Sequence, residues 1–67
     1  MITLTINGAS QTFPSALNLA ELIAHLGYTG KRIALERNGE IVPRSSYANV
    51  SLVNGDQLEL VVAVGGG

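Results

Sequence analysis

"NGDQLELVVAVGGG", residues 54–67, decides the architecture, because a turn signal, a strand and a bare run of glycines follow one another without a break. Leu58, Leu60, Val62 and Val64 recur at the two-residue period that places alternate side chains on one face of a strand. Val61 and Ala63 make the opposite face apolar as well, a pattern that belongs in the middle of a sheet. Asn54-Gly55-Asp56 supplies the turn that leads in. Gly65, Gly66 and Gly67 then follow the strand directly, with no polar tail.

The neighbours of that strand are found by working toward the N-terminus. "ITLTI", residues 2–6, sets Ile2, Leu4 and Ile6 against Thr3 and Thr5, the period of a strand with one buried face. Asn7-Gly8 suits a tight hairpin turn, so "ASQTF" is expected to return antiparallel and to stop at Pro14. In "SALNLAELIAHLGY" the period changes, and Leu19, Leu22, Ile23 and Leu26 line one helix face. Asn18 with Glu21 reads as a capping box, and Gly27 as a left-handed stop. "RIALERNGEIVPR" reads as a strand, a second Asn-Gly turn at 38 and 39, and a brief strand interrupted by Pro43. "SSYANVSL" is open: Ser45 or Ser46 can cap one short turn of 3₁₀ or α helix. One helix across one face of a mixed sheet, with the first and last strands parallel neighbours, satisfies this order and the right-handed crossover rule. The fold class is α+β, a single domain over residues 1–67 with four to five strands, residues 64–67 being expected as a flexible tail.

Composition narrows the functions. The 67 residues are 46% hydrophobic, enough for one small core of modest stability. With no cysteine and one histidine, disulfides and thiolate metal sites are excluded. Net charge is −1, and Lys31, Arg32, Arg37 and Arg44 are too few for a groove that tracks nucleic-acid phosphates. No apolar run approaches the roughly 20 residues that span a bilayer. Met1 leads into a strand pattern instead of a charged leader, so a cytoplasmic location is the expectation.

The hairpin, helix and sheet order ending in glycines resembles the β-grasp, or ubiquitin-like, fold. Within it, "ALERNGEIVPR" at 34–44 and "NGDQLELVVAVGGG" at 54–67 resemble the small sulfur carriers of thiamin thiazole biosynthesis, over essentially the whole chain. The resemblance implies that an E1-like enzyme adenylates a C-terminal carboxylate with ATP and that a sulfur donor, such as a cysteine desulfurase, converts it to a thiocarboxylate. Thiazole synthase then takes the sulfur. Carried onto this sequence, Gly67 bears the reactive carbonyl, preceded by Gly66; the family's usual Gly-Gly pair becomes three glycines with Gly65. No cofactor is expected on the chain itself, since ATP belongs to the activating partner and no phosphate-cradling glycine loop precedes a helix.

The physical chemistry of such a tail agrees with glycine. A carboxylate must be activated before sulfur displaces oxygen, and an acyl adenylate is lost to water unless the site closes around it. A tail threading a narrow channel therefore benefits from residues without Cβ, and four extended residues from Val64 reach at most about 14 Å. Val61, Ala63 and Val64, just before the glycines, are the expected partner-docking residues, because one helix covers only one face of the sheet. His25 is expected on the surface, where an imidazole near a helix C-terminus suits the dipole. Arg32, Arg37 and Arg44 are read as solvated, with pairing to acidic groups around a partner's nucleotide site as the alternative. Glu36 and Glu40 lack the pocket or nucleophile that acid–base catalysis needs, so a carrier is expected and not an enzyme. The rival readings are the small subunit of molybdopterin synthase, a ubiquitin-like modifier attached to lysines, and a plain β-grasp binding module.

Overall fold

The computed structural model describes residues 1–63. Its elements are β1 (Ile2–Ile6), β2 (Ala9–Phe13), α1 (Leu19–His25), β3 (Ile33–Arg37), β4 (Glu40–Ile41), a 3₁₀ segment (Arg44–Asn49) and β5 (Gln57–Val62). The strands form one sheet in the order β2-β1-β5-β3-β4, so the last strand in sequence lies at its centre. It runs parallel to β1 and antiparallel to β3. This is the β-grasp arrangement that the sequence suggested.

Both hairpin turns are set by an asparagine followed by glycine. Asn7 and Asn38 sit at φ +50° and +51°, Gly8 and Gly39 at +83° and +88°, the left-handed pair that matches strand twist. The two asparagine side chains then act on β5. Asn7 Oδ1 accepts from the Leu60 N–H at 2.7 Å, and its Nδ2 donates to the Leu60 carbonyl at 3.2 Å. The β1–β5 ladder has only the pairs Thr5–Gln57 and Ile6–Leu58, so this amide serves as its next rung. Asn38 Oδ1 accepts from the Gln57 N–H at 2.9 Å on the other side.

At seven residues α1 is too short to persist alone, and its stability comes from packing. Asn18 and Glu21 form the expected reciprocal capping box, each bond 2.8 Å long. Gly27 ends the helix at φ +82°. Leu19, Leu22 and Ile23 are buried against Leu4, Ile6, Phe13, Leu35, Leu58 and Leu60 of the sheet. His25 is exposed as expected, though its ring also meets Phe13 edge-on at 5.1 Å and 77°.

The 3₁₀ segment departs from the expectation. Neither Ser45 nor Ser46 caps it: the N-cap is Pro43, with no side-chain cap, and the Ser46 N–H donates to the Pro43 carbonyl at 2.9 Å. Proline's fixed φ sets the entry, and that backbone bond closes the first turn, so both serines lie inside it. The segment inserts Tyr47 into the core, and Leu52 follows it there. Leu19 N–H to Val50 O and Leu52 N–H to Leu17 O, both 3.0 Å, tie this stretch to the start of α1.

Asp56, buried at the entrance to β5, joins the turns together. Its carboxylate accepts from Arg37 Nε at 3.0 Å, Asn38 Nδ2 at 3.0 Å and the Val53 N–H at 2.9 Å. Burial, the largest single influence, raises its pKa, but the three hydrogen bonds and the Arg37 charge together outweigh burial and hold it below the usual value. A carboxyl with a depressed folded pKa stabilises above its unfolded value of about 3.9, and that contribution disappears as pH falls through the folded value.

Two measurements check this account. Leu22→Ala is expected to lower unfolding free energy by about 2–5 kcal/mol, because Leu22 is fully buried in the middle of the core; an unchanged melting curve would contradict it. Asp56→Asn is expected to cost about 1–3 kcal/mol at neutral pH. Urea titrations at about pH 6 and about pH 3 should show a smaller stability difference for the variant than for the parent.

Candidate functional site

β5 ends at Val62, two residues before the undescribed segment 64–67. Its last described contact is the Ala63 N–H donating to the Arg32 carbonyl at 2.9 Å. Val64, Gly65, Gly66 and Gly67 lie outside the described residues. What the structure positions is therefore the platform from which they start.

That platform has two faces. Leu58 and Leu60 are buried under α1 and Val62 is half-buried, as the alternation indicated. Val61 is 67% exposed and Ala63 is exposed, on the side that no helix covers. The register extends this apolar side: Val61 stands opposite the exposed Ala34 on β3. Ile41 on β4, 68% exposed, is opposite Glu36 and so shares the face.

Glu36 also stands opposite Glu59 on β5, both exposed. Like charges directly opposite one another in a sheet are destabilising, which marks this position as unfavourable in the isolated domain. Glu36 and Glu40 do not converge: Glu40 pairs with Arg37 and Glu36 with the next residue, Ile41, so the pleat sends the two carboxylates to opposite faces.

The cations separate by role. Arg37 is held by Asp56 at the start of β5, so it is a structural residue and not a solvated one. Lys31 and Arg32 are exposed beside the exit of β5, and Arg44 reaches over to donate from Nη2 to the Lys31 carbonyl at 3.3 Å. Three of the four positive side chains thus belong to the tail end of the sheet. The sequence reading missed this grouping, the Asp56 cluster and the Glu36–Glu59 opposition, all of which depend on register across distant segments. The pairing of two Asn-Gly turns with Asn54-Gly55-Asp56 was the available hint that turn side chains meet. Among the described residues, no helix is long and apolar enough to cross a membrane.

A central β5 with one covered and one open face, leading straight to the glycines, defines a β-grasp protein of the ubiquitin-like kind. The chain belongs to the ThiS family, whose model matches residues 4–67. It is similar to the crystal structure of thiamine biosynthesis protein ThiS from Geobacter metallireducens at 30% identity and a TM-score of 0.83, covering 98% of this chain and 100% of that one. It is 45% identical over 64 residues to the thiazole synthase of Paramagnetospirillum magneticum, covering 96% of this chain but 20% of that protein. The uncharacterized protein ycf40 of Porphyra purpurea is 30% identical over 66 residues, covering 98% of this chain and 93% of the relative. The chain thus spans about a fifth of the length of the thiazole synthase it matches.

Glu36→Lys tests the geometry of the open face. Replacing a cross-strand repulsion by an attraction is expected to raise stability by about 0.2–1 kcal/mol, read by urea denaturation. A loss of stability would mean that the two glutamates do not face each other.

Proposed function

We propose that this chain is a sulfur carrier for thiazole formation in thiamin biosynthesis, a protein co-substrate and not an enzyme. Gly67 supplies the carboxylate that an E1-like partner activates. Attack of that carboxylate on the α-phosphorus of ATP releases pyrophosphate and forms an acyl adenylate. The persulfide sulfur of a donor such as a cysteine desulfurase then displaces AMP to form an acyl disulfide, and a partner thiol attacks the donor-side sulfur of that S–S bond, releasing the thiocarboxylate and leaving a disulfide on the donor side. ATP and its site belong to the partner, the acceptor is thiazole synthase, and the setting is the cytoplasm.

The observation that carries this reading is the ThiS-family match continuing through Gly67, in a chain whose last strand, β5, is the central one of the sheet. The similarity of the chain to part of a thiazole synthase supports the choice of acceptor. Docking falls to the open face at Val61 and Ala63, with Val64 next in line. An enzyme gripping that patch holds the reactive carbon within a few residues of its anchor. Small apolar groups buried there add affinity at about 25 cal/mol per Å², and a charge among them is left desolvated.

Intact mass of the protein from cells is expected to include a species in which one oxygen is exchanged for sulfur, and its absence under thiamin limitation would sink the reading. With purified partners, deletion of Gly67 is expected to abolish adenylation with folding unchanged. Ala63→Asp should fold, by circular dichroism, yet bind both the activating enzyme and thiazole synthase at least about tenfold more weakly. Unchanged affinity for both would remove the docking face and leave the role of Gly67 standing.

A further inference from the structure

Between the end of α1, the loop that follows it and the 3₁₀ segment lies a cleft of about 250 Å³. Its floor is apolar, formed by Ala20, Ile23 and Ile33. Lys31, Arg44 and Tyr47, each with a donor group on its side chain, also line it, and no lining residue is acidic. Tyr47 is the unusual member. Only 7% of it is exposed, and its hydroxyl makes no hydrogen bond to any described residue. Every fully sealed side-chain polar atom among the described residues does have a partner, so the Tyr47 hydroxyl must open to solvent, and the cleft it lines is where it can. Arg44 lies close enough to favour the phenolate, against the larger opposing effect of burial.

A guanidinium, an ammonium and a hydroxyl donor above an apolar floor match a carboxylate on a short aliphatic stem, whose two oxygens accept several hydrogen bonds at once. The volume falls below the roughly 300–1,000 Å³ of typical cofactor sites, so a nucleotide does not suit it and one side chain does. Its location names the source. Ile33, on the floor, is the register partner of Val62, and Lys31 precedes Arg32, whose carbonyl holds the Ala63 N–H. The cleft therefore lies beside Val62 and Ala63, the last described residues of the chain.

We propose that this cleft receives an acidic side chain, glutamate or aspartate, from the protein that activates the tail, with Lys31, Arg44 and Tyr47 as its donors. The inference rests on the carrier reading for the identity of that protein, but not for the chemistry of the cleft. It adds a second contact on the flank of the sheet, separate from the apolar open face at Val61 and Ala63, and so fixes the rotation of the carrier about its tail.

Two experiments on the full chain test it. In the first, the ¹⁵N-labelled protein is titrated with butyrate, a carboxylate on a glutamate-like stem, and with its neutral counterpart butyramide. Butyrate is expected to shift the amides of residues 28–33 and 45–48 saturably, and Tyr47→Phe and Arg44→Gln to weaken that binding at least about threefold each. Equal shifts with butyramide, or shifts scattered over the surface, would overturn the site. In the second, the purified adenylating enzyme is titrated with wild type, Tyr47→Phe, and a Lys31→Gln/Arg44→Gln double variant, all checked for folding by their amide spectra. The double variant is expected to bind at least about tenfold more weakly. Butyrate binding combined with unchanged enzyme affinity would overturn the assignment to the partner. Failure of the wild type to be adenylated would remove the carrier reading and with it the partner, while the butyrate titration would still decide the cleft.

Discussion

The Asp56 carboxylate accepts hydrogen bonds from Arg37, Asn38 and the Val53 N–H, and in doing so joins the β3–β4 turn to the turn that starts β5. A buried carboxylate left without those donors would carry a penalty that a domain of this size, with one small core to offset it, is poorly able to absorb. Satisfying it requires β5 to begin beside β3 in one register, with Leu58 opposite Arg37 and Leu60 opposite Leu35. A slip of one residue would turn Leu58 and Leu60 outward and bring Glu59 and Val61 under α1. The polar cluster thus decides which face of the central strand is buried.

Asn7 completes the constraint from the other side. Beyond Ile6 the chain turns away into β2, and β5 would lose its neighbour at Leu60 if the Asn7 side chain did not take both backbone groups of that residue. A buried strand with unpaired amides is costly, so this one side chain lets β5 extend past the end of β1. The strand is thereby supported to the last described residue, where the Arg32 carbonyl accepts from the Ala63 N–H.

What could be read in the sequence was whatever depends on near neighbours. The Asn-Gly turns, the Asn18–Glu21 cap, the helix face and the alternation along β5 are each written within a few residues, and each appears as expected. Tyr47, Leu52 and Asp56 were not legible, because their burial is decided by partners many residues away. Asp56 read only as part of a turn, and its partner Arg37 read as a solvated cation. For the candidate site, the period put Val61 and Ala63 on the face opposite Leu58 and Leu60 and the presence of one helix left that face uncovered, whereas the opposition of Glu36 to Glu59 follows from register, which no local pattern encodes.

The distribution of the remaining charge follows from the same placement of β5. Because Arg37 is drawn to Asp56 at the entrance of the strand, the cations left for the exit are Lys31, Arg32 and Arg44, and the carboxylates of Glu36 and Glu59 lie between the two ends on the open face. Along the open face the acidic strip is flanked by Val61 and Ile41, Arg32 stands beside Ala63, and Lys31 and Arg44 line the cleft on the α1 side. Apolar area alone would hold the carrier without orienting it, since burial is non-directional. A sequence of opposite charges along one axis orients it, because only one alignment of a complementary surface avoids placing like charges together.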